Sequence, residues 1–276
     1  MSTPMVRLNN GVEIPQLGFG VFLVPPDEVV EPVRAALETG YRLIDTATLY
    51  GNEEGVGRAI RDSGIARDEI FVTTKVWNSA HGYDETLRAF DDSAVRLGLD
   101  VVDLYLIHWP VPSRDRYVET WKALQELYRD GRVRAIGVSN FTVAHLTRLR
   151  DETDIVPAVN QVELHPGFPQ TELQEFHRKH DIATESWSPL GRGQGLLEQQ
   201  PVRDIAAAHD RTPAQVVLRW HLQLGFVTIP KSTHAERIKE NFDVFDFDLT
   251  EAELATLSAL RGPGRIGPDP DRFDRA

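Results

Sequence analysis

Eight short apolar runs alternate with amphipathic stretches along nearly the whole chain, and this alternation limits the possible folds more than any other feature. Strands that alternate with helices form parallel sheets, and eight such units over about 250 residues predict a closed (β/α)8 TIM barrel. An open, doubly wound α/β sheet is the other candidate. The strand-like runs lie near residues 17–21, 42–46, 70–75, 102–108, 133–139, 157–162, 182–187 and 226–230.

A glycine-rich dinucleotide-binding turn would favour the open sheet, but neither candidate segment has the full pattern. Gly18-Phe19-Gly20 lacks the third glycine, and the run 191–195 comes late without an acidic residue at the expected spacing. We therefore expect an α/β barrel formed by a single domain over residues 1–276. Near the start, alternating apolar residues flank Asn10-Gly11, which predicts a β-hairpin.

Helix boundaries can also be predicted from local signals. Capping boxes are expected at Thr212 and Thr250, and a third at Thr171. The box at Thr250 predicts an additional C-terminal helix. The tail over residues 262–270 is rich in glycine and proline, which is typical of a loop. We expect it to return over the barrel mouth and to shape specificity, leaving a fairly open site.

The composition excludes several classes of function. A net charge of −12 and a pI of about 5.2 argue against nucleic acid or an anionic membrane as a partner. The chain has no cysteine, which excludes disulfides and thiolate chemistry. The first residues contain no apolar signal core, so we expect a cytoplasmic protein. His177 and His180 have no evident third ligand, so we expect no metal site.

Polar side chains are expected at the carboxyl ends of three successive strands. Asp45 and His108 each end a strand-like run, Lys75 ends another, and Tyr50 lies in the loop after Asp45. The chain has only five lysines, and an ammonium that ends a buried run is costly unless it is paired or employed. Because strand ends converge at one face of a barrel, we expect these four residues to share one site.

These four residue types suit the reduction of a carbonyl group. Asp45 can keep Lys75 charged, and we expect Lys75 to lower the pKa of Tyr50 below its ordinary value near 10. Tyr50 could then protonate a developing alkoxide, while a neutral His108 donates a hydrogen bond to the carbonyl oxygen. No side chain supplies a hydride, so this chemistry requires a nicotinamide cofactor. A purely structural pair, or a hydrolase or isomerase using Asp45 and Lys75 without nicotinamide, is an alternative.

Two further groups of residues are predicted to contact ligands. The segment 231–237 brings two cations and two hydroxyls to a helix N-terminus, which is typical of a phosphate-binding site, and a cation there would favour NADPH over NADH. Phe22, Trp77 and Trp109 come just after the first, third and fourth strands. We expect them, together with His108, to surround a small carbonyl substrate in a largely apolar pocket.

Four ordered blocks closely resemble the aldo-keto reductase family. They are residues 40–57, 106–110, 136–141 and 229–232. Val21-Phe22 and the segment 245–247 are similar to the bacterial 2,5-diketo-gluconate reductase-like branch. The resemblance covers nearly the whole chain. It implies a barrel whose bottom is plugged by the N-terminal hairpin, with NADPH bound without a Rossmann domain, and it favours a monomer.

The family also implies which residues contact the cofactor. The implied contacts are Ser139, Asn140, Gln161 and a stacking Trp187 for the nicotinamide, Ser188 and Leu190 in the loop over the pyrophosphate, Lys231, Ser232, Thr233 and Arg237 for the 2′-phosphate, and Glu240 and Asn241 for the adenine. His234 departs from the more basic residue of some relatives. A regulatory barrel that binds nicotinamide with little turnover is the alternative function. The physiological carbonyl and the preferred direction are left open.

Overall fold

Eight parallel strands close into a barrel in the computed structural model, which describes residues 3–262 and 264–275. A two-stranded hairpin, β1 (Met5–Arg7) and β2 (Glu13–Pro15), precedes the barrel. The barrel strands are β3 (Phe19–Gly20), β4 (Leu43–Asp45), β5 (Phe71–Val76), β6 (Val102–Ile107), β7 (Val133–Ser139), β8 (Val159–Glu163), β9 (Ala183–Trp187) and β10 (Val227–Thr228). They pair in chain order from β3 to β10. Pro263, part of the predicted tail, lies outside the described residues.

The first and last strands join by backbone hydrogen bonds, which closes the sheet. The Gly18 N–H donates to the Thr228 carbonyl at 2.9 Å, and the Thr228 N–H donates to the Gln16 carbonyl at 2.9 Å. The Gly20 N–H reaches the Pro230 carbonyl at 3.1 Å. The predicted barrel is therefore confirmed, and the open sheet is excluded.

Helices cover the outside of the sheet and bury their apolar faces against it. They are α1 (Val30–Thr39), α2 (Glu53–Asp62), α3 (Tyr83–Leu97), α4 (Tyr117–Arg129), α5 (Val143–Glu152), α6 (Thr171–Lys179), α7 (Gln200–Ala208), α8 (Pro213–Gln223), α9 (Ala235–Phe242) and α10 (Glu251–Ser258). None of these helices combines the length and the apolar character that crossing a bilayer requires.

Two of the three predicted capping boxes are confirmed, at Thr212 and Thr250. The prediction at Thr171 is wrong: α6 begins at that residue, and the preceding Gln170 has a left-handed backbone without a side-chain cap. A capping box that the sequence reasoning missed lies at Thr142, where the third helical residue is His145 rather than Glu or Gln. A histidine ring nitrogen replaces the usual acidic or amide acceptor there.

The N-terminal hairpin closes the amino-terminal end of the barrel. Leu8 and Ile14 are buried with Leu43, Phe71 and Leu104 inside the barrel, in a cluster separate from the one beneath the helices. The Asn9 and Asn10 side chains donate to backbone carbonyls at the starts of β8 and β7. The predicted plug is confirmed, and access to the barrel interior is left to the carboxyl-terminal end.

Candidate active site

Lys75 and Asp45 form a buried ion pair near the carboxyl ends of β5 and β4. The Lys75 Nζ donates to Asp45 Oδ1 at 2.7 Å, to Asp45 Oδ2 at 2.8 Å and to the Thr46 carbonyl at 2.9 Å. Both side chains are almost completely buried. A buried ammonium needs acceptors for its hydrogens, and these three contacts supply them.

Tyr50 and His108 complete the predicted group of four. Tyr50 ends a short 3₁₀ turn after β4, and the centroid of its ring lies 5.2 Å from the Lys75 Nζ. His108 directly follows β6, with its ring 5.7 Å from the Tyr50 ring and 5.1 Å from the Trp77 ring. The structure thus brings Asp45, Tyr50, Lys75 and His108 together at the open end of the barrel, as the strand positions predict.

The prediction that Lys75 lowers the pKa of Tyr50 below its ordinary value is wrong. Burial raises the pKa of Tyr50 to about 12, and the Lys75 charge opposes this increase only in part. The negative charge of the Asp45 carboxylate adds to the increase because it disfavours a phenolate nearby. Tyr50 is therefore protonated across the ordinary pH range.

His108 is held in its neutral form. Burial, and then the nearby Lys75 charge, keep the pKa of His108 well below its usual value. Its Nδ1 atom is buried and has no hydrogen-bond partner among the described residues. A neutral ring carries one hydrogen, and placing it on Nε2 leaves Nδ1 as the bare nitrogen. His108 can then donate one hydrogen bond.

Asp45, Tyr50 and His108 line a cavity of ≈ 740 Å³ at the carboxyl-terminal end of the barrel. The three predicted aromatic residues Phe22, Trp77 and Trp109 all line it. The tail also reaches this cavity, as predicted, and contributes Pro268, Phe273 and Arg275 to the lining. The site thus combines apolar walls with a polar cluster, as most small-molecule sites do.

The residues implied for nicotinamide line the same cavity, and several of them contact one another. The Trp187 Nε1 donates to Asn140 Oδ1 at 2.9 Å, and the Asn140 Nδ2 donates to Ser139 Oγ at 3.0 Å. The Gln161 Nε2 donates to Asp45 Oδ2 at 2.8 Å, which links this group to the ion pair. Asn140 has a left-handed backbone with φ of 63°, which turns the chain sharply after β7.

Only some of the residues implied for the phosphates line the cavity. Lys231, Ser188 and Leu190 line it. Thr233 and Arg237 are exposed around the start of α9, while Ser232 is buried. Within the described chain neither Lys231 nor Arg237 takes part in an ion pair, so both cations can meet an external anion.

The two residues implied for the adenine sit further along α9. Asn241 is buried, and the Glu240 carboxylate accepts a hydrogen bond from Thr212 Oγ1 at 2.8 Å. Glu240 therefore already has one structural partner at the start of α8.

Two buried glutamates near the site were not singled out from the sequence. Glu163 ends β8, and its two oxygens accept the backbone N–H groups of Ile266 and Gly267. Glu185 lies in β9, and neither of its oxygens has a hydrogen-bond partner among the described residues. Glu163 directly follows one strand-like run and Glu185 lies within another, and these positions were the only sequence signal for the two residues.

Comparison with known proteins identifies related chains. The model of the Aldo/keto reductase family matches residues 16–261. Glyoxal reductase of Bacillus subtilis is 52% identical over 269 residues, covering 97% of this chain and 96% of that protein. Methylglyoxal reductase DkgA of Escherichia coli is 49% identical over 275 residues, covering 99% of each chain.

A solved structure shows the same fold with a cofactor. A mutant of Gox0644 in complex with NADPH superposes with a TM-score of 0.95 and 51% sequence identity, covering 99% of each chain.

Proposed function

The chain belongs to the aldo/keto reductase family, and we propose that it reduces small aldehydes and ketones to alcohols with NADPH, with Tyr50 as the proton donor. The observation that carries this proposal is the contact of Tyr50 and His108 with one cavity above the buried Lys75–Asp45 pair. The arrangement holds a protonated phenol, a neutral imidazole and a buried ammonium next to the space for a substrate.

The residues at both ends of the cavity fit NADPH. Lys231 and Arg237 offer unpaired cations beside the start of α9, where the helix dipole also favours an anion. An additional 2′-phosphate needs such a cation, which is why we propose NADPH rather than NADH. Ser139, Asn140 and Gln161 would hold the carboxamide of the nicotinamide, and Trp187 would stack on its ring.

A bound NADPH supplies the hydride, and the side chains supply orientation and the proton. In the proposed mechanism, His108 and Tyr50 both donate hydrogen bonds to the carbonyl oxygen, which fixes the substrate and stabilises the negative charge that develops there. Tyr50 then transfers its hydrogen to that oxygen as general acid. The Lys75 ammonium stabilises the resulting phenolate, and Asp45 keeps Lys75 charged and in place.

Two relatives act on glyoxal and methylglyoxal according to their names, and we propose α-dicarbonyl compounds as the first substrates to test. The aromatic wall and the neutral His108 suit a compact carbonyl compound with an apolar substituent. Burial of the reacting oxygen among Tyr50, His108 and Trp77 strengthens the hydrogen bonds that it accepts, because the local dielectric is low.

The test compares Tyr50→Phe with the wild type in the oxidation of NADPH by methylglyoxal. We expect the variant to lose turnover by about 100-fold or more, since general acid catalysis contributes roughly this factor. Quenching of tryptophan fluorescence should give an unchanged Kd for NADPH, because the lost hydroxyl faces the carbonyl site.

Tyr128→Phe is the matched control, because it removes a phenolic oxygen on α4 outside the cavity. It should leave both turnover and NADPH affinity unchanged. Near wild-type turnover in Tyr50→Phe would remove Tyr50 from proton transfer. An absence of turnover in the wild type across an aldehyde and ketone panel would remove the proposed activity.

A further inference from the structure

The C-terminal tail reaches the substrate side of the cavity without forming a helix or strand over residues 264–275. A segment of this kind has no ladder of its own hydrogen bonds, so other parts of the protein must hold it. The firmest attachment of the tail is the side chain of Glu163. Its carboxylate oxygens accept the Ile266 N–H at 2.6 Å and the Gly267 N–H at 2.7 Å, and the His165 Nε2 lies 3.3 Å from one of them.

Glu163 is completely buried, so these hydrogen bonds form away from water. Burial alone would raise the pKa of Glu163, but the hydrogen bonds from His165, Ile266 and Gly267 lower it below its ordinary value. A carboxylate that accepts two backbone N–H groups makes charge-assisted hydrogen bonds, which are roughly twice as strong as neutral ones. The carboxylate is thus a strong anchor for the tail.

Gly267 also fits against Trp187 so closely that no side chain could replace its hydrogen. A Cβ at this position would lie 2.5 Å from the Trp187 ring and 3.0 Å from the Glu163 carboxylate. The tail therefore passes directly over the end of β9. The chain then continues into the cavity, where Pro268 and Phe273 line it.

Beyond Gly267 the tail forms part of the substrate wall. The Phe273 ring lies 4.4 Å from the Trp109 ring and 6.3 Å from the Trp77 ring. Two polar contacts also attach the part of the tail beyond Gly267 to the barrel. The Asn78 Nδ2 donates to the Arg275 carbonyl at 2.7 Å, and His145 lies 3.5 Å from Asp271.

We infer that Glu163 is a specificity-positioning residue, which sets the Phe273 wall of the substrate pocket by holding the backbone of residues 266–267. The inference rests on the proposed function and adds which substrates depend on this contact. Carbonyl compounds with an aromatic substituent need the wall, because they pack against Phe273 and Trp109. Carbonyl compounds with only a methyl substituent are too small to depend on it.

Glu163→Gln tests the anchoring directly by hydrogen exchange. The carboxamide keeps one acceptor oxygen but turns an NH2 group toward a backbone N–H, so at least one of the two hydrogen bonds is lost. We expect the Ile266 and Gly267 amides to exchange about tenfold faster or more, because bonds to a charged group are lost. Glu172→Gln, the same change at an exposed position, should leave the exchange unchanged. Unchanged exchange in Glu163→Gln would overturn the anchor.

Phenylglyoxal and methylglyoxal test the consequence for specificity, because they share the dicarbonyl group and differ only in carrying a phenyl or a methyl substituent. In Glu163→Gln we expect kcat/KM to fall about fivefold to tenfold for phenylglyoxal, which is the effect of losing one aromatic contact. For methylglyoxal it should change by less than about twofold, and the Kd for NADPH should not change. Phe273→Ala should reproduce this selectivity. Adding Glu163→Gln to Phe273→Ala should cause no further loss for phenylglyoxal.

Gly267→Ala provides a second route if Glu163→Gln does not fold. It displaces the same segment through contact with the Trp187 ring and leaves the carboxylate of Glu163 chemically unchanged. It should give the same selective loss for phenylglyoxal. An equal loss for both substrates in either variant, or a weaker NADPH complex in Glu163→Gln, would overturn the positioning role. If the wild type reduced neither substrate, the proposed function would fail, and the exchange rates would still decide whether Glu163 holds the tail.

Discussion

Glu185 should make the stability of this protein fall as the pH rises through neutrality. Its carboxyl group is completely buried in β9, and neither oxygen has a hydrogen-bond partner in the described chain. Burial raises the pKa of Glu185 from 4.5 to about 8, and the Asp45 charge adds to this effect. Between pH 4.5 and about pH 8, Glu185 keeps its proton in the folded protein but has lost it in the unfolded chain.

The sign and the size follow from proton linkage. The folded pKa lies above the unfolded one, so the contribution is complete below pH 4.5 and is lost as the pH rises through about 8. Each pKa unit corresponds to about 1.4 kcal/mol, so the whole effect is on the order of 5 kcal/mol. Between pH 6 and pH 8 the free energy of unfolding should fall by roughly 2 kcal/mol through this one group.

Glu185→Gln isolates the effect, because the carboxamide has nearly the same shape and does not titrate. Urea unfolding of both proteins, followed by tryptophan fluorescence at pH 6, 7 and 8, gives the two free energies of unfolding. Titrating groups that do not interact with Glu185 are shared by both proteins, so they cancel in the difference. The wild type should lose about 2 kcal/mol relative to Glu185→Gln across this range. Parallel pH profiles would show that Glu185 ionises at an ordinary pH, and the reasoning would be refuted.

Three further predictions concern helix packing, a helix start and the cofactor. Gly57→Ala should destabilise the protein by about 2–3 kcal/mol in urea unfolding, because a Cβ there would lie 2.1 Å from the Leu97 carbonyl oxygen. Thr250→Ala should cost about 1 kcal/mol in the same assay, since it removes one half of the capping box with Glu253. Arg237→Ala should weaken NADPH far more than NADH in fluorescence titrations, and equal Kd changes for both cofactors would place the 2′-phosphate elsewhere.

Most strands were predictable because a parallel barrel buries both faces of its strands, which favours largely apolar runs in the sequence. A polar residue at the end of such a run is conspicuous, and this is why Asp45, Lys75 and His108 could be found. The start of α6 was mispredicted because Thr171 has the right spacing for a cap. Gln170 is the residue that precedes the helix instead. Its backbone is left-handed, and its residue type does not predict this conformation.

The two buried glutamates could not be assigned from the sequence because their environment depends on distant residues. Glu163 and the tail amides that it binds are more than 100 positions apart. Glu185 is unusual only because its buried carboxylate oxygens have no hydrogen-bond partner among the described residues. Short-range sequence patterns indicate neither a distant hydrogen-bond partner nor the lack of one. The pKa values of the two buried glutamates shift in opposite directions, because hydrogen bonds from His165, Ile266 and Gly267 lower that of Glu163, whereas burial and the Asp45 charge raise that of Glu185.

The hydrogen bonds of Lys75 explain why this residue does not make Tyr50 acidic. The ammonium already donates to two Asp45 oxygens and to the Thr46 carbonyl, so the field that Tyr50 experiences comes from a nearly neutral pair rather than from a free cation. Burial then dominates, and the pKa of Tyr50 is raised to about 12. For the proposed reduction this is an advantage. A general acid must carry its proton when the substrate binds, and an alkoxide is a stronger base than even this phenolate. The proton therefore moves toward the product, and the Lys75–Asp45 pair needs to stabilise the phenolate only once the alkoxide has formed.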